Sequence, residues 1–157
     1  MNKEYFNVLD IIRGTTVDGP GFRTAIYLAG CAHGCPGCHN PQSHDPEAGR
    51  EMTLEEIMEV VREEDFDVTL TGGDPLFNPE AAAILAKAIS EAGYKVWLYT
   101  GFTYEEIMTS NGLQAFIPYV DTIVDGPYVE ALRDPDLPFR GSSNQRIIRL
   151  KPPYCET

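Results

Sequence analysis

Asp67-Val68-Thr69-Leu70-Thr71-Gly72-Gly73-Asp74-Pro75-Leu76-Phe77-Asn78-Pro79 is the stretch whose reading decides the fold. Its first five residues read as a β-strand and the next as a glycine-bearing corner. Asn78-Pro79 then opens a helix, with a capping side chain and a proline at the first helical position. Gly93 stands where such a helix should stop. The same unit recurs on both sides. Phe6 to Ile12 and Phe22 to Ala29 read as strands separated by the turn Asp18-Gly19-Pro20-Gly21. Tyr94 to Thr100, Asp121 to Val124 and Arg146 to Leu150 read as later strands. Thr53-Leu54-Glu55-Glu56 and Thr103-Tyr104-Glu105-Glu106 are capping boxes that start helices. The stripes Ile57, Val60, Val61 and Ile84, Leu85, Ala88, Ile89 recur at helical spacing and predict buried helix faces. Strands alternating with helices imply a parallel sheet with right-handed crossovers, either an open doubly wound sheet or a partial barrel.

The corners fall on one rim of that sheet. Cys31 follows the second strand, Gly72-Gly73 the third, Tyr99-Thr100-Gly101 the fourth and Asp125-Gly126-Pro127 the fifth. In parallel α/β folds the loops at the carboxyl ends of the strands converge around one opening, and sites collect there.

The totals set bounds. A chain of 157 residues, 43% of them apolar, predicts one packed domain spanning residues 1–157. No run approaches the roughly 18–20 apolar residues that cross a bilayer. No basic stretch followed by an apolar run opens the chain, so a cytoplasmic location is expected. The net charge of −12 argues against a partner bound through phosphates, nucleic acid included. Arg133, Arg140, Arg146, Arg149 and Lys151 form a local basic exception near the C-terminus.

Three of the four cysteines stand in Cys31-Ala32-His33-Gly34-Cys35-Pro36-Gly37-Cys38-His39. Disulfides are rare in the cytosol, so this spacing points to metal or redox chemistry. A structural zinc site needs four ligands, and His33 or His39 would have to supply the fourth without a second ligand hairpin. A closed electron-transfer cluster needs a fourth cysteine, which Cys155 provides only if the C-terminus folds back across the rim. The count favours a 4Fe-4S cluster held by Cys31, Cys35 and Cys38 with one iron left open.

That spacing resembles the cluster motif of the radical S-adenosylmethionine (SAM) enzymes, and Thr71-Gly72-Gly73-Asp74-Pro75-Leu76 resembles their glycine-rich loop. The resemblance narrows to the activating proteins of the anaerobic ribonucleoside-triphosphate reductase. It does so through Asp18-Gly19-Pro20-Gly21-Phe22-Arg23, Leu98-Tyr99-Thr100-Gly101, Asp125-Gly126-Pro127-Tyr128 and Phe139-Arg140-Gly141-Ser142-Ser143-Asn144-Gln145-Arg146, over about residues 5 to 150. It implies an α/β fold, a partial (incomplete) TIM-like barrel of parallel strands with flanking helices.

The same resemblance implies a 4Fe-4S cluster and SAM as cofactors, with the open iron taking the amino and carboxylate groups of SAM. One-electron reduction, by a donor such as flavodoxin or ferredoxin, would yield methionine and a 5′-deoxyadenosyl radical. That radical would take hydrogen from a glycine Cα of the large catalytic subunit of the anaerobic ribonucleotide reductase.

Gly72, Gly73 and Asp74 would hold the methionine moiety, with Thr100 and Asp125 near the cofactor or a cation. Asp125 would otherwise cap the turn before Gly126-Pro127. Asn144, Gln145 and Arg146 would reach the cofactor or a partner. Gly37 replaces the aromatic residue usual before the third cysteine, so His39 or Tyr99 would contact the adenine. A small-molecule radical SAM enzyme, such as a compact deazapurine-forming synthase, is the competing expectation. So short a chain leaves the rim without a wall of its own, and the partner protein is expected to supply it.

Overall fold

The computed structural model of the protein describes residues 5–30 and 49–150. Cys31, Cys35, Cys38 and His39, with Cys155, lie outside the described residues. Among the described residues seven strands form one sheet: β1 (Tyr5–Thr15), β2 (Arg23–Leu28), β3 (Arg50–Thr53), β4 (Asp67–Gly72), β5 (Val96–Tyr99), β6 (Thr122–Asp125) and β7 (Arg146–Arg149). Their order is β3-β1-β2-β4-β5-β6-β7. The four central strands, β2, β4, β5 and β6, run parallel. β1 and β3 on one side and β7 on the other pair antiparallel.

The helices are α1 (Leu54–Glu64), α2 (Pro79–Glu91) and α3 (Tyr104–Met108), with a 3-10 stretch over Asn111–Tyr119. Both capping boxes form: Thr53 accepts from the Glu56 N–H at 3.1 Å, and Thr103 from that of Glu106 at 3.1 Å. In each, the glutamate closes back on the cap N–H at 2.8 Å. Asn78 caps α2 by accepting from the Ala81 N–H.

Among the described residues, α1, α2, α3 and the 3-10 stretch over Asn111–Tyr119 share one core on one face of the sheet. Ile57 and Val61 of α1 and Leu85 and Ile89 of α2 are fully buried against Ile26, Leu28, Val68, Leu70, Val96, Leu98 and Ile123. Each such side chain contributes about 1.5–3 kcal/mol of burial. α1 touches α2, and α2 packs on the 3-10 stretch. A doubly wound sheet would carry helices on both faces. Helices on one face, around four parallel strands, make the partial barrel.

Strand alternation turns the other residues to the second face: Arg23, Ala25 and Tyr27 on β2, Thr69 and Thr71 on β4, Trp97 and Tyr99 on β5. The lower half of this face is sealed by the β1–β2 loop. Arg23, 5% exposed, donates to Pro20 O, Val68 O and Thr69 Oγ1, and its guanidinium lies 5.7 Å from the Trp97 ring centroid. Thr69 donates to Asp18 O, and Tyr27 to Asp18 Oδ2 at 2.6 Å. Gly19 sits against the ring: a Cβ there would meet Arg23 Cδ at 2.8 Å and Trp97 at 3.3 Å. Phe139 packs edge-on to Trp97 at 5.6 Å. The upper half, toward the carboxyl ends of the strands, lies next to the rim.

Candidate active site at the carboxyl rim of the sheet

The rim is built where β2, β4, β5 and β6 end. Gly72 closes β4 with φ +112°, and a Cβ there would fall on the backbone of Leu28 in β2. Only glycine fits, because both the dihedral and the space forbid a side chain. The chain can then turn close beside β2. Gly73 N–H donates to Leu28 O at 2.8 Å and Asp74 N–H to Gly30 O at 2.7 Å. These two bonds continue the β2–β4 pairing beyond the strands, to the residue immediately before Cys31.

Asp74 is 2% exposed, and its carboxylate faces inward. Oδ1 accepts from Leu76 N–H at 2.9 Å, and Oδ2 from the Thr100 hydroxyl at 3.1 Å and Gly101 N–H at 2.9 Å. Thr100 Oγ1 in turn accepts from Phe102 N–H. Gly72, Gly73, Asp74 and Thr100, four of the predicted site residues, are thus gathered at one junction.

Asp125 and Arg146 come together one strand further on. Asp125 is fully buried. Its Oδ2 accepts from Tyr104 N–H at 2.7 Å, which caps α3 rather than the Gly126-Pro127 turn considered from the sequence. Both oxygens accept from the Arg146 guanidinium, and Oδ1 also from the Arg146 N–H. Arg146 also donates to Glu105, and that bond holds the Glu105 carboxyl below its ordinary value. The amides of the neighbouring segment are likewise engaged. Asn144 donates to Pro127 O at 2.8 Å, and Gln145 donates to Gly126 O while accepting from Gly141 and Ser142 N–H. Together they brace the loop that leaves β6.

Tyr99 lies on the helix-free face, in a row that sequence reasoning missed. Tyr27 pairs with Thr71, Tyr99 with Val124 and Val124 with Ile147, while Leu70 opposite Leu98 puts Thr71 level with Tyr99. Tyr27-Thr71-Tyr99-Val124-Ile147 therefore runs across the sheet just below the rim. Burial raises the pKa of both tyrosines, and for Tyr27 the bond to Asp18 adds to it. The signal for Tyr27 was available: it shares strand parity with Arg23 and stands four residues before Cys31. A cleft of about 190 Å³, lined by Tyr5, Asn7, Leu28, Asp74 and Phe77 among others, adjoins the same strand end.

Residues 17–148 match the family model described as a 4Fe-4S single cluster domain. The anaerobic ribonucleoside-triphosphate reductase-activating protein of Vibrio cholerae is 33% identical over 96% of this chain and 99% of its own length. Its namesake in Escherichia coli K12 is 29% identical over 96% of this chain and all of its own length, and that of phage T4 34% identical over 83% and 86%. Among solved structures, that of QueE from Escherichia coli matches in fold with a TM-score of 0.51 at 17% identity, covering 63% of this chain and 53% of the other. The chain belongs to the 4Fe-4S single cluster domain family and, within it, to the anaerobic ribonucleoside-triphosphate reductase-activating proteins.

Proposed function

We propose that this protein activates the anaerobic (class III) ribonucleotide reductase by installing a glycyl radical on its large catalytic subunit, using a 4Fe-4S cluster and SAM. The observation that carries the reading is the place of the cysteine spacing: C-x3-C-x2-C begins one residue after Gly30, whose carbonyl is bonded to the loop of Gly72-Gly73-Asp74. The family membership supports it along nearly the whole chain.

The donor set suits the group. Three closely spaced thiols would hold a 4Fe-4S cluster and leave one of its irons without a protein ligand. When bound, the cluster supplies the electron that opens a sulfur–carbon bond of SAM. In the balanced reaction one electron is taken up, SAM becomes methionine and 5′-deoxyadenosine, and the reductase glycine loses one hydrogen atom.

Within this reading Cys31, Cys35 and Cys38 are the cluster ligands. The backbone at Gly72 and Gly73 lines the methionine end of SAM, and His39 or Tyr99 meets the adenine. Thr100, Asp125 and Arg146 belong to the rim that surrounds the cofactor. The chain acts as a single compact domain in the cytoplasm, with a flavodoxin- or ferredoxin-type electron donor. Its net charge of −12 speaks against direct nucleic-acid binding. Among the described residues no helix is long and apolar enough to cross a membrane.

Anaerobic reconstitution tests the reading. Wild-type protein should bind iron and sulfide in a four-to-four ratio and, once reduced, cleave SAM to 5′-deoxyadenosine. Replacement of any one of Cys31, Cys35 or Cys38 by Ala should abolish both, whereas Cys155→Ala should keep both. A colourless protein carrying one zinc and no sulfide would overturn it.

A further inference from the structure

The rim loops are tied to one another by hydrogen bonds, and Asp74 is the residue through which β2, β4 and β5 meet. Its N–H holds Gly30 O at 2.7 Å, next to the first cysteine. Its carboxylate gathers Leu76 N–H, Thr100 Oγ1 and Gly101 N–H, at 2.9, 3.1 and 2.9 Å. Three donors converge on one side chain that is 2% exposed. Two of them are backbone N–H groups, which cannot turn to accept. A carboxylate meets all three because it has only acceptors, whereas an amide has one oxygen and one nitrogen donor.

We propose that Asp74 is a positioning residue: its carboxylate sets the spacing between the loop after β4, which is itself bonded to Leu28 and Gly30 at the end of β2, and the loop after β5, and it does not itself bind SAM. This rests on the function proposed above. A cofactor lined by the β4 loop and by the Thr100 segment after β5 would require those two loops to keep a fixed separation. Small misplacements of reacting groups cost large factors in rate. Gly73 N–H on Leu28 O and Asp74 N–H on Gly30 O fix the loop against β2, and the carboxylate fixes it against β5.

Asp74→Asn separates this role from direct ligation. Its single oxygen can serve either Leu76 or Gly101, and the other N–H then faces an NH2 group. In reconstituted protein without SAM, hydrogen exchange at Leu76 or Gly101 should quicken. Iron content per folded chain should stay at the wild-type level, and the dissociation constant for SAM should rise roughly tenfold, the scale of one unpaired buried donor. Thr100→Val should shift exchange and affinity the same way by less, and Thr100→Ser should restore both. This pair keeps the test decisive if Asp74→Asn does not fold.

Weaker SAM binding with unchanged exchange would mark Asp74 as a direct ligand and overturn the proposal. Faster exchange with unchanged SAM affinity would reduce it to a fold contact and overturn the proposal equally. Failure of the wild-type protein to bind SAM would instead strike the proposed function.

Discussion

Arg146 grips the buried carboxylate of Asp125 with two nitrogens, Nε on Oδ1 at 3.1 Å and Nη2 on Oδ2 at 2.5 Å, across the β6–β7 pair. Asp125 is fully buried, while the Arg146 side chain is 48% exposed. The guanidinium therefore closes the site of a charge that water cannot reach. Arg146→Ala should destabilise the protein by about 2 kcal/mol, below the usual cost of breaking a buried pair because the arginine is half in solvent. The double variant Asp125→Asn/Arg146→Met should recover part of that loss, since it leaves no unpaired charge. Urea denaturation midpoints of the three proteins check this.

Glu105 extends the same pair toward solvent, and the Arg146 hydrogen bond lowers its pKa from 4.5. A carboxyl depressed in the folded state adds stability above its ordinary value, and that stability is lost as pH falls through the lowered one. Wild-type stability should thus decline more steeply on acidification below about 4.5 than that of Glu105→Gln. Denaturation midpoints at neutral pH and on the acid limb supply the comparison, and parallel curves would dismiss the effect.

The tyrosine row makes an alkaline prediction of opposite sense. Tyr27 and Tyr99 keep their protons in the folded state above the ordinary value of 10.0. The unfolded chain releases them there, so the stability they contribute is present below 10.0 and is lost as pH rises through the raised folded values. Tyrosinate absorbance should rise in two phases, the late one coinciding with unfolding. Tyr27→Phe should shrink the late phase.

Gly72→Ala tests the close approach of β4 to β2. With φ at +112° and the Leu28 backbone where a Cβ would stand, the corner cannot form undistorted. A loss of about 2–3 kcal/mol is expected from strain and overpacking together. The bonds from Gly73 and Asp74 to Leu28 and Gly30 should weaken with it, which faster exchange of those two amides would report.

Much of this arrangement was legible from residue types and spacing. Local rules placed the capping boxes at Thr53 and Thr103, the Asn78 cap, and the strand-ending corners at Gly72, Thr100 and Asp125, because each depends on a few adjacent residues. Strand direction at the sheet edges was not legible. β3, Arg50–Thr53, is too short and polar to announce itself, and it exists because it pairs with β1. Asp74 and Asp125 were recognisable as unusual residues, but their partners lie 26–27 and 21 positions away, and only the fold reveals them. The Tyr27–Asp18 bond escaped notice for a related reason: it depends on the β1–β2 loop folding back over the sheet.

The proposed activity is the making of a radical by this rim on another protein. Electron paramagnetic resonance on the reduced, reconstituted protein mixed with SAM and the anaerobic reductase tests it most directly. A glycyl doublet should appear that requires all components and is lost when the reductase glycine is replaced by alanine. A mixture that consumes SAM yet never shows the doublet would contradict it.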